Sequence, residues 1–187
     1  MNTVWIPHIP RTAGTSRRRM LEHNVHYNEY VTLEDRQPAP VKGIVIGHLS
    51  YCANPAWTKI LFWRHPKERI LSSYYYTLRN YPNTSIDEWV DFQGAMKEGY
   101  LPFTLTEHYI LANQKYYNCA YIPNSFEHVL HITELDKFRR IMQGLGYNCK
   151  MPVHENGTWW EEQDIPRKCD KWIERETEYL RSVGAKI

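Results

Sequence analysis

The chain has 187 residues, of which 42% are hydrophobic and 24% charged, and its formal net charge is +2. This composition suits one folded domain over residues 1–187 and excludes an intrinsically disordered chain. A net charge this small, with basic residues spread along the chain, also argues against a dedicated nucleic-acid-binding protein.

The cysteines and the lack of long apolar runs bear on the cell compartment. Cys52, Cys119, Cys149 and Cys169 form no Cys-x-x-Cys pair and have no zinc-type spacing with histidine, which predicts reduced thiols and no metal site. The sequence contains neither a run of about 18 apolar residues nor a basic-then-apolar leader. It therefore predicts a cytoplasmic protein with no membrane span.

Hydrophobic patterns predict strands that alternate with helices along the chain. Strands are predicted over 4–9, 43–49, 59–63 and 129–132, and helices over 17–23, 67–78, 86–97, 106–115, 134–145 and 166–183. Residues 24–40 are polar and interrupted by proline, so no element is assigned to them. The alternation predicts an α/β fold with a central, mainly parallel sheet flanked by helices.

The loop between the first strand and the first helix has the composition of an anion site. It reads Arg11-Thr12-Ala13-Gly14-Thr15-Ser16, and the backbone N–H groups of such a loop point towards one place, where phosphate fits. The ATP and GTP pattern G-x-x-x-x-G-K-[S/T] is absent, because no lysine follows Gly14. The next residues, Arg17-Arg18-Arg19, fit either an anion site or a solvated helix face, and the sequence favours neither.

With His8-Ile9-Pro10 before it, this loop resembles the 5'-phosphosulfate loop of carbohydrate sulfotransferases, His-Ile-Pro-Lys-Thr-Gly-Gly-Thr-Ser or a close variant. These enzymes use 3'-phosphoadenosine 5'-phosphosulfate (PAPS). The resemblance implies that residues 11–16 bind the cofactor and that Arg11 stands at the family's lysine, which neutralises charge on the leaving phosphate. Arginine keeps that charge but brings a wider, planar fork.

A second segment, which begins at Arg64-His65-Pro66 and includes Arg69 and Ser72-Ser73-Tyr74-Tyr75, resembles the family's 3'-phosphate motif, Arg-Asp-Pro-x-x-Arg-x-x-Ser-x-Tyr-Tyr. By that match Arg64 and Ser72 bind the 3'-phosphate of the cofactor. A guanidinium can hold phosphate through two parallel hydrogen bonds, and serine adds a hydroxyl donor. His65 replaces the family's aspartate, and Arg69 is interpreted as a structural ion-pair partner.

A third segment, Gly47-His48, resembles the Gly-His segment that supplies a catalytic base in uronyl and heparan-sulfate 2-O-sulfotransferases. A neutral imidazole at His48 can take the proton of an acceptor hydroxyl. A hydrogen-bonded structural histidine is the alternative.

Together, the resemblances imply a P-loop-kinase-like three-layer fold and a PAPS-dependent sulfotransferase that releases 3'-phosphoadenosine 5'-phosphate (PAP). The implied catalytic residues are His48 and Arg11, and the implied partner is a hydroxylated glycan or small molecule, with no nucleic acid. Two alternatives stay open. One is a nucleotide kinase that uses Mg-ATP, and the other is a weakly catalytic module that binds 3'-phosphorylated nucleotides.

Overall fold

The computed structural model describes residues 3–7, 9, 11–21, 25–27, 43–47, 56–95, 126–151 and 164–187. Within these residues, five short strands alternate with helices. The strands are β1 (Val4–Pro7), β2 (Val25–Tyr27), β3 (Ile44–Gly47), β4 (Thr58–Trp63) and β5 (His128–His131). The helices are α1 (Gly14–Met20), α2 (Pro66–Leu78), α3 (Ile86–Ala95), α4 (Leu135–Gly144) and α5 (Asp170–Ser182), with a 3-10 turn at Arg167–Cys169.

The strands form one parallel sheet in the order β2-β3-β1-β4-β5. In this sheet β1 lies between β3 and β4, with Val4 opposite Ile44 on one side and Thr58 on the other. After β1 the chain continues to β2, on one side of the sheet, whereas after β4 it continues to β5, on the opposite side. The carboxyl ends of β1 and β4 therefore flank a topological switch point, where open α/β sheets bind ligands.

Helices cover both faces of the sheet. Successive side chains of a strand point to opposite faces, so neighbouring strand residues pack against different helices. Ile6 and Phe62 belong to a buried cluster that also contains residues of α1 and α4. Their neighbours Trp5 and Leu61 belong to a second cluster that includes Leu180 of α5. A third cluster joins α2 to α3 and to the start of α5. The chain thus has an α/β fold with a helical layer on each side of the sheet.

Local sequence signals explain where α2 and α3 begin. Pro66 occupies the start of α2, where the missing backbone N–H is not needed by the helix. At α3, the Ser85 backbone N–H donates to the Glu88 carboxylate at 2.8 Å, and the Glu88 N–H donates to the Ser85 hydroxyl at 3.2 Å. This reciprocal pair is the capping box that the sequence predicts.

Most predicted elements are present, with shifted boundaries. The first helix begins at Gly14 rather than at 17, and the last one begins as a 3-10 turn before α5. The prediction left residues 24–40 without an element, and it was wrong at Val25–Tyr27, which form the edge strand β2. The helix predicted over 106–115 lies outside the described residues. None of the described helices is long and apolar enough to cross a membrane.

A buried ion pair joins α2 to α5. Arg69 Nη2 lies 3.3 Å from Glu176 Oε1, and the two side chains are 4% and 2% exposed. The interpretation of Arg69 as a structural ion-pair partner is confirmed. This bridge fixes the helix that carries Ser72 against the C-terminal helix.

Burial should make the thiols of Cys149 and Cys169 slow to react. Both are free and buried, and burial raises the pKa of each from 9.0 to about 11, so little thiolate forms at pH 8. We expect mass spectrometry after iodoacetamide treatment at pH 8 to show little label on either residue, and full label once urea unfolds the chain. Equal labelling rates in the native and unfolded chain would contradict this.

The raised pKa values of the two thiols also make the stability of the fold depend on pH. Because the folded-state pKa values are raised, the unfolded thiols lose protons first as the pH rises. The contribution of the buried thiols to the free energy of unfolding is complete below pH 9 and is lost as the pH passes through about 11.

Candidate anion-binding site

The two motif segments meet at the switch point of the sheet. The first follows β1 and the second follows β4, and these strands are hydrogen-bonded neighbours in the sheet. Because the strands are parallel, both segments leave the same edge. This edge is where the geometry can assemble one site from two parts of the chain.

The loop after β1 has an unusual backbone that its own side chains support. Arg11 and Ala13 adopt left-handed conformations, with φ of 64° and 59°, which are uncommon for residues other than glycine. Between them, the Thr12 hydroxyl donates a 2.7 Å hydrogen bond to the Ile9 carbonyl oxygen. The Thr12 side chain is therefore committed to holding the loop in shape, so any ligand contact from Thr12 has to come from its backbone.

One hydrogen bond joins the two motifs. Arg11 Nε donates to the Ser72 hydroxyl oxygen at 3.0 Å, across 61 residues of sequence. Ser72 is 1% exposed, so its hydroxyl orients the guanidinium from within the fold. The residues expected to serve the 5'-phosphate and the 3'-phosphate are thus direct neighbours.

Arg64 is held at the same edge by a carboxylate one helical turn away. Its Nε lies 3.3 Å from Glu68 Oε2, and the Arg64 side chain is 10% exposed whereas Glu68 is 47% exposed. Burial lowers the pKa of the Arg64 guanidinium, and the hydrogen bond and charge of Glu68 oppose that shift. The pair holds Arg64 in a fixed place with its charge retained.

Tyr76 and Arg79, which the sequence did not predict as site residues, lie beside Arg11. The Arg11 guanidinium carbon lies 4.7 Å from the centre of the Tyr76 ring, and that of Arg79 lies 5.8 Å from it. Burial lowers the pKa of Arg11, and the charges of Arg64 and Arg79 lower it further. Their spacing was the available signal, since positions 72 and 76 share one face of α2 and position 79, the C-cap, follows at helical spacing.

The positive charges of Arg11, Arg64 and Arg79 suit an anionic ligand. The guanidinium groups of Arg64 and Arg79 each lie close enough to Arg11 to lower its pKa, and Glu68 pairs with Arg64. Like charges in a partly buried place repel one another, and an anion relieves that repulsion. Arginine forks also match the oxygen geometry of phosphate.

The other predicted site residues are placed less completely. Ser16 lies in the first turn of α1 and is 4% exposed, and Ala13 and Gly14 form the junction from the loop into α1. Thr15 lies in the same turn, but its side chain is not described. His48, the proposed base, lies outside the described residues, directly after β3.

The run Arg17-Arg18-Arg19 does not act as one surface. Arg19 is exposed, as a solvated helix face requires, but Arg17 is 0% exposed. The solvated-face interpretation is therefore wrong for Arg17, because this side of α1 packs onto the sheet at Phe62.

The chain matches no protein-family model, no curated protein and no solved structure. The functional argument therefore depends on the site and on the motif resemblance.

Proposed function

We propose that this chain is a sulfotransferase with a P-loop-kinase-like core, which transfers the sulfuryl group of PAPS to a hydroxylated acceptor. The observation that carries the proposal is the 3.0 Å hydrogen bond from Arg11 to Ser72. The two residues were assigned from separate motifs to the 5'-phosphate and the 3'-phosphate of one cofactor, which the same ribose carries. Their contact supports a single site for both phosphates.

The strand order supports the fold part of the proposal. The order β2-β3-β1-β4-β5 differs from the Rossmann order 3-2-1-4-5-6 and from the flavodoxin order 2-1-3-4-5. In this order the loop after β1 and the segment after β4 lie side by side, which is compatible with the P-loop-kinase core that the resemblance implies.

In the proposed reaction, PAPS supplies the sulfuryl group and a phosphate leaving group. Arg64 and Ser72 hold the 3'-phosphate, and Arg11, with the backbone N–H groups of residues 12–16 and the hydroxyls of Thr15 and Ser16, stabilises the 5'-phosphate. His48 takes the proton of the acceptor hydroxyl while the acceptor oxygen forms its bond to sulfur. The bond between sulfur and the 5'-phosphate oxygen breaks, and its electron pair leaves with PAP.

In the proposed reaction, most of the catalysis comes from positioning the reactants and from positive charge fixed beside the leaving group. An in-line displacement gains from holding the reacting atoms in line and from cations fixed beside the leaving group, as in phosphoryl transfer. The Arg11–Ser72 and Arg64–Glu68 contacts fix two such cations in the chain. The acceptor that fits the resemblance is a glycan or another small hydroxylated molecule, and a cytoplasmic location is part of the same proposal.

Calorimetric titration of the full chain with PAP, and separately with Mg-ATP, tests the proposal. We expect PAP to bind at least about tenfold more tightly than Mg-ATP, because the 3'-phosphate adds charged hydrogen bonds. A preference for Mg-ATP would favour the nucleotide-kinase hypothesis over the sulfotransferase. PAP binding without sulfuryl transfer from radiolabelled PAPS to any of a panel of glycans and small hydroxylated compounds would favour the binding module.

A further inference from the structure

Arg17 is the most completely buried charge in the part of the chain that the structure describes. It is 0% exposed, in the first turns of α1, and its guanidinium carbon lies 4.2 Å from the centre of the Phe62 ring. A cation over an aromatic ring is attracted by the ring quadrupole. That attraction alone is small beside the cost of removing a guanidinium from water.

The hydrogen bonds of this guanidinium leave it undersatisfied. Nη2 lies 3.5 Å from the Thr12 hydroxyl oxygen, and within the described residues neither Nε nor Nη1 has a hydrogen-bond partner. Burial lowers the pKa of Arg17 to about 9, so the group is still charged at pH 7. Among the described residues, this buried positive charge is therefore left without full compensation, which costs free energy.

The Arg17 side chain points towards the loop after β1. Helical side chains lean towards the N-terminus of their helix, and Arg17 reaches back to Thr12 in the loop after β1. Thr12 in turn holds the Ile9 carbonyl. The charge therefore lies directly behind the loop that carries Arg11 and Ala13.

We propose that Arg17 is a positioning residue for an anion, and that its buried charge is compensated when a phosphoryl group binds in the loop that carries Arg11 and Ala13. The inference deepens the proposed function and rests on it. Because Arg17 has no exposed surface, it acts through the loop and through its field, without touching the ligand. In a poorly solvated place such a field reaches farther than it does in water.

Replacing the charge of Arg17 should change the stability of the ligand-free fold and the affinity for an anion in opposite directions. Without a ligand, Arg17 destabilises the fold, so replacing it with an apolar residue of similar length should raise the thermal midpoint. With a ligand, the same replacement removes a favourable charge and should weaken binding. A residue that serves packing alone would not separate the two quantities in this way.

The experiment compares the wild-type full chain with Arg17→Met and Arg17→Lys. Thermal midpoints are measured without ligand, and affinities for PAP and for inorganic pyrophosphate are measured by calorimetry. We expect Arg17→Met to raise the midpoint and to weaken both affinities about tenfold, the size expected for one nearby charge. Arg17→Lys keeps the charge and should restore most of the affinity.

The outcomes separate this inference from the proposed function. Unchanged affinity for PAP and pyrophosphate in Arg17→Met overturns the role of Arg17 while leaving the proposed function intact. If Arg17→Met does not fold, the expected rise in the thermal midpoint is contradicted, and the lysine variant decides the binding role, since a loss of affinity with the charge retained overturns that role. Binding of pyrophosphate but not of PAP by the wild type overturns the sulfotransferase and still tests Arg17, whereas binding of neither overturns both.

Discussion

Glu176→Ala should lower the free energy of unfolding by about 3–5 kcal/mol, the largest stability effect expected of a single substitution in this chain. Glu176 lies 3.3 Å from Arg69, and both side chains are almost fully buried. Removing the carboxylate takes away a charge that balances the buried guanidinium of Arg69. Urea denaturation at pH 7, followed by circular dichroism, measures the loss.

Two variants make that measurement specific to the buried pair. Glu178→Ala removes a carboxylate from an exposed position of the same helix, so it should change stability by less than about 0.5 kcal/mol. The double variant Arg69→Met/Glu176→Leu replaces both charges by apolar groups and should recover most of the loss. A Glu176→Ala protein as stable as Glu178→Ala would show that the ion pair contributes little.

Arg64→Ala should weaken PAP binding by about 1.5–3 kcal/mol, roughly 10- to 150-fold, which is the range for a lost charged hydrogen bond. The reason is that Arg64 is the phosphate ligand implied by the second motif and is already fixed by Glu68 at the edge where the two motifs meet. Calorimetry with PAP measures the change.

The matched control for Arg64 is another arginine at a distance from the site. Arg181 is exposed and lies in the last turn of α5, so Arg181→Ala removes the same charge and should leave the affinity within about twofold. An equal loss in both variants would mean that net charge, rather than a defined site, attracts the ligand. No loss in Arg64→Ala would remove Arg64 from the proposed phosphate site.

The sequence predicted the layered α/β fold well, because local signals suffice for strongly patterned elements. The apolar run that forms β4 and the proline at the start of α2 are examples, and the Ser85–Glu88 capping box is another. The edge strand β2 was missed because its three residues, Val25–Tyr27, are too short to show a period. It is a strand through its pairing with β3, which no local pattern contains.

The site shows the same division between local and long-range information. The spacing that places Arg64 before a helix and Ser72 within it is local, and the sequence predicted it. The Arg11–Ser72 contact depends on β1 and β4 being neighbours in the sheet, which is a property of the topology. The burial of Arg17 was not predictable either, because a run of three arginines normally faces water.

The Arg69–Glu176 bridge also bears on the order in which the protein can fold. Domains fold during synthesis from the N-terminal side, and contacts between distant parts of a chain form slowly because a long loop has to close. The helix with Ser72 is made before α5, which supplies the carboxylate that pairs with its buried arginine. The anion-site residues Arg11, Arg64 and Ser72 are therefore synthesised before the helix that stabilises α2, and until α5 docks the nascent chain carries Arg69 without this carboxylate.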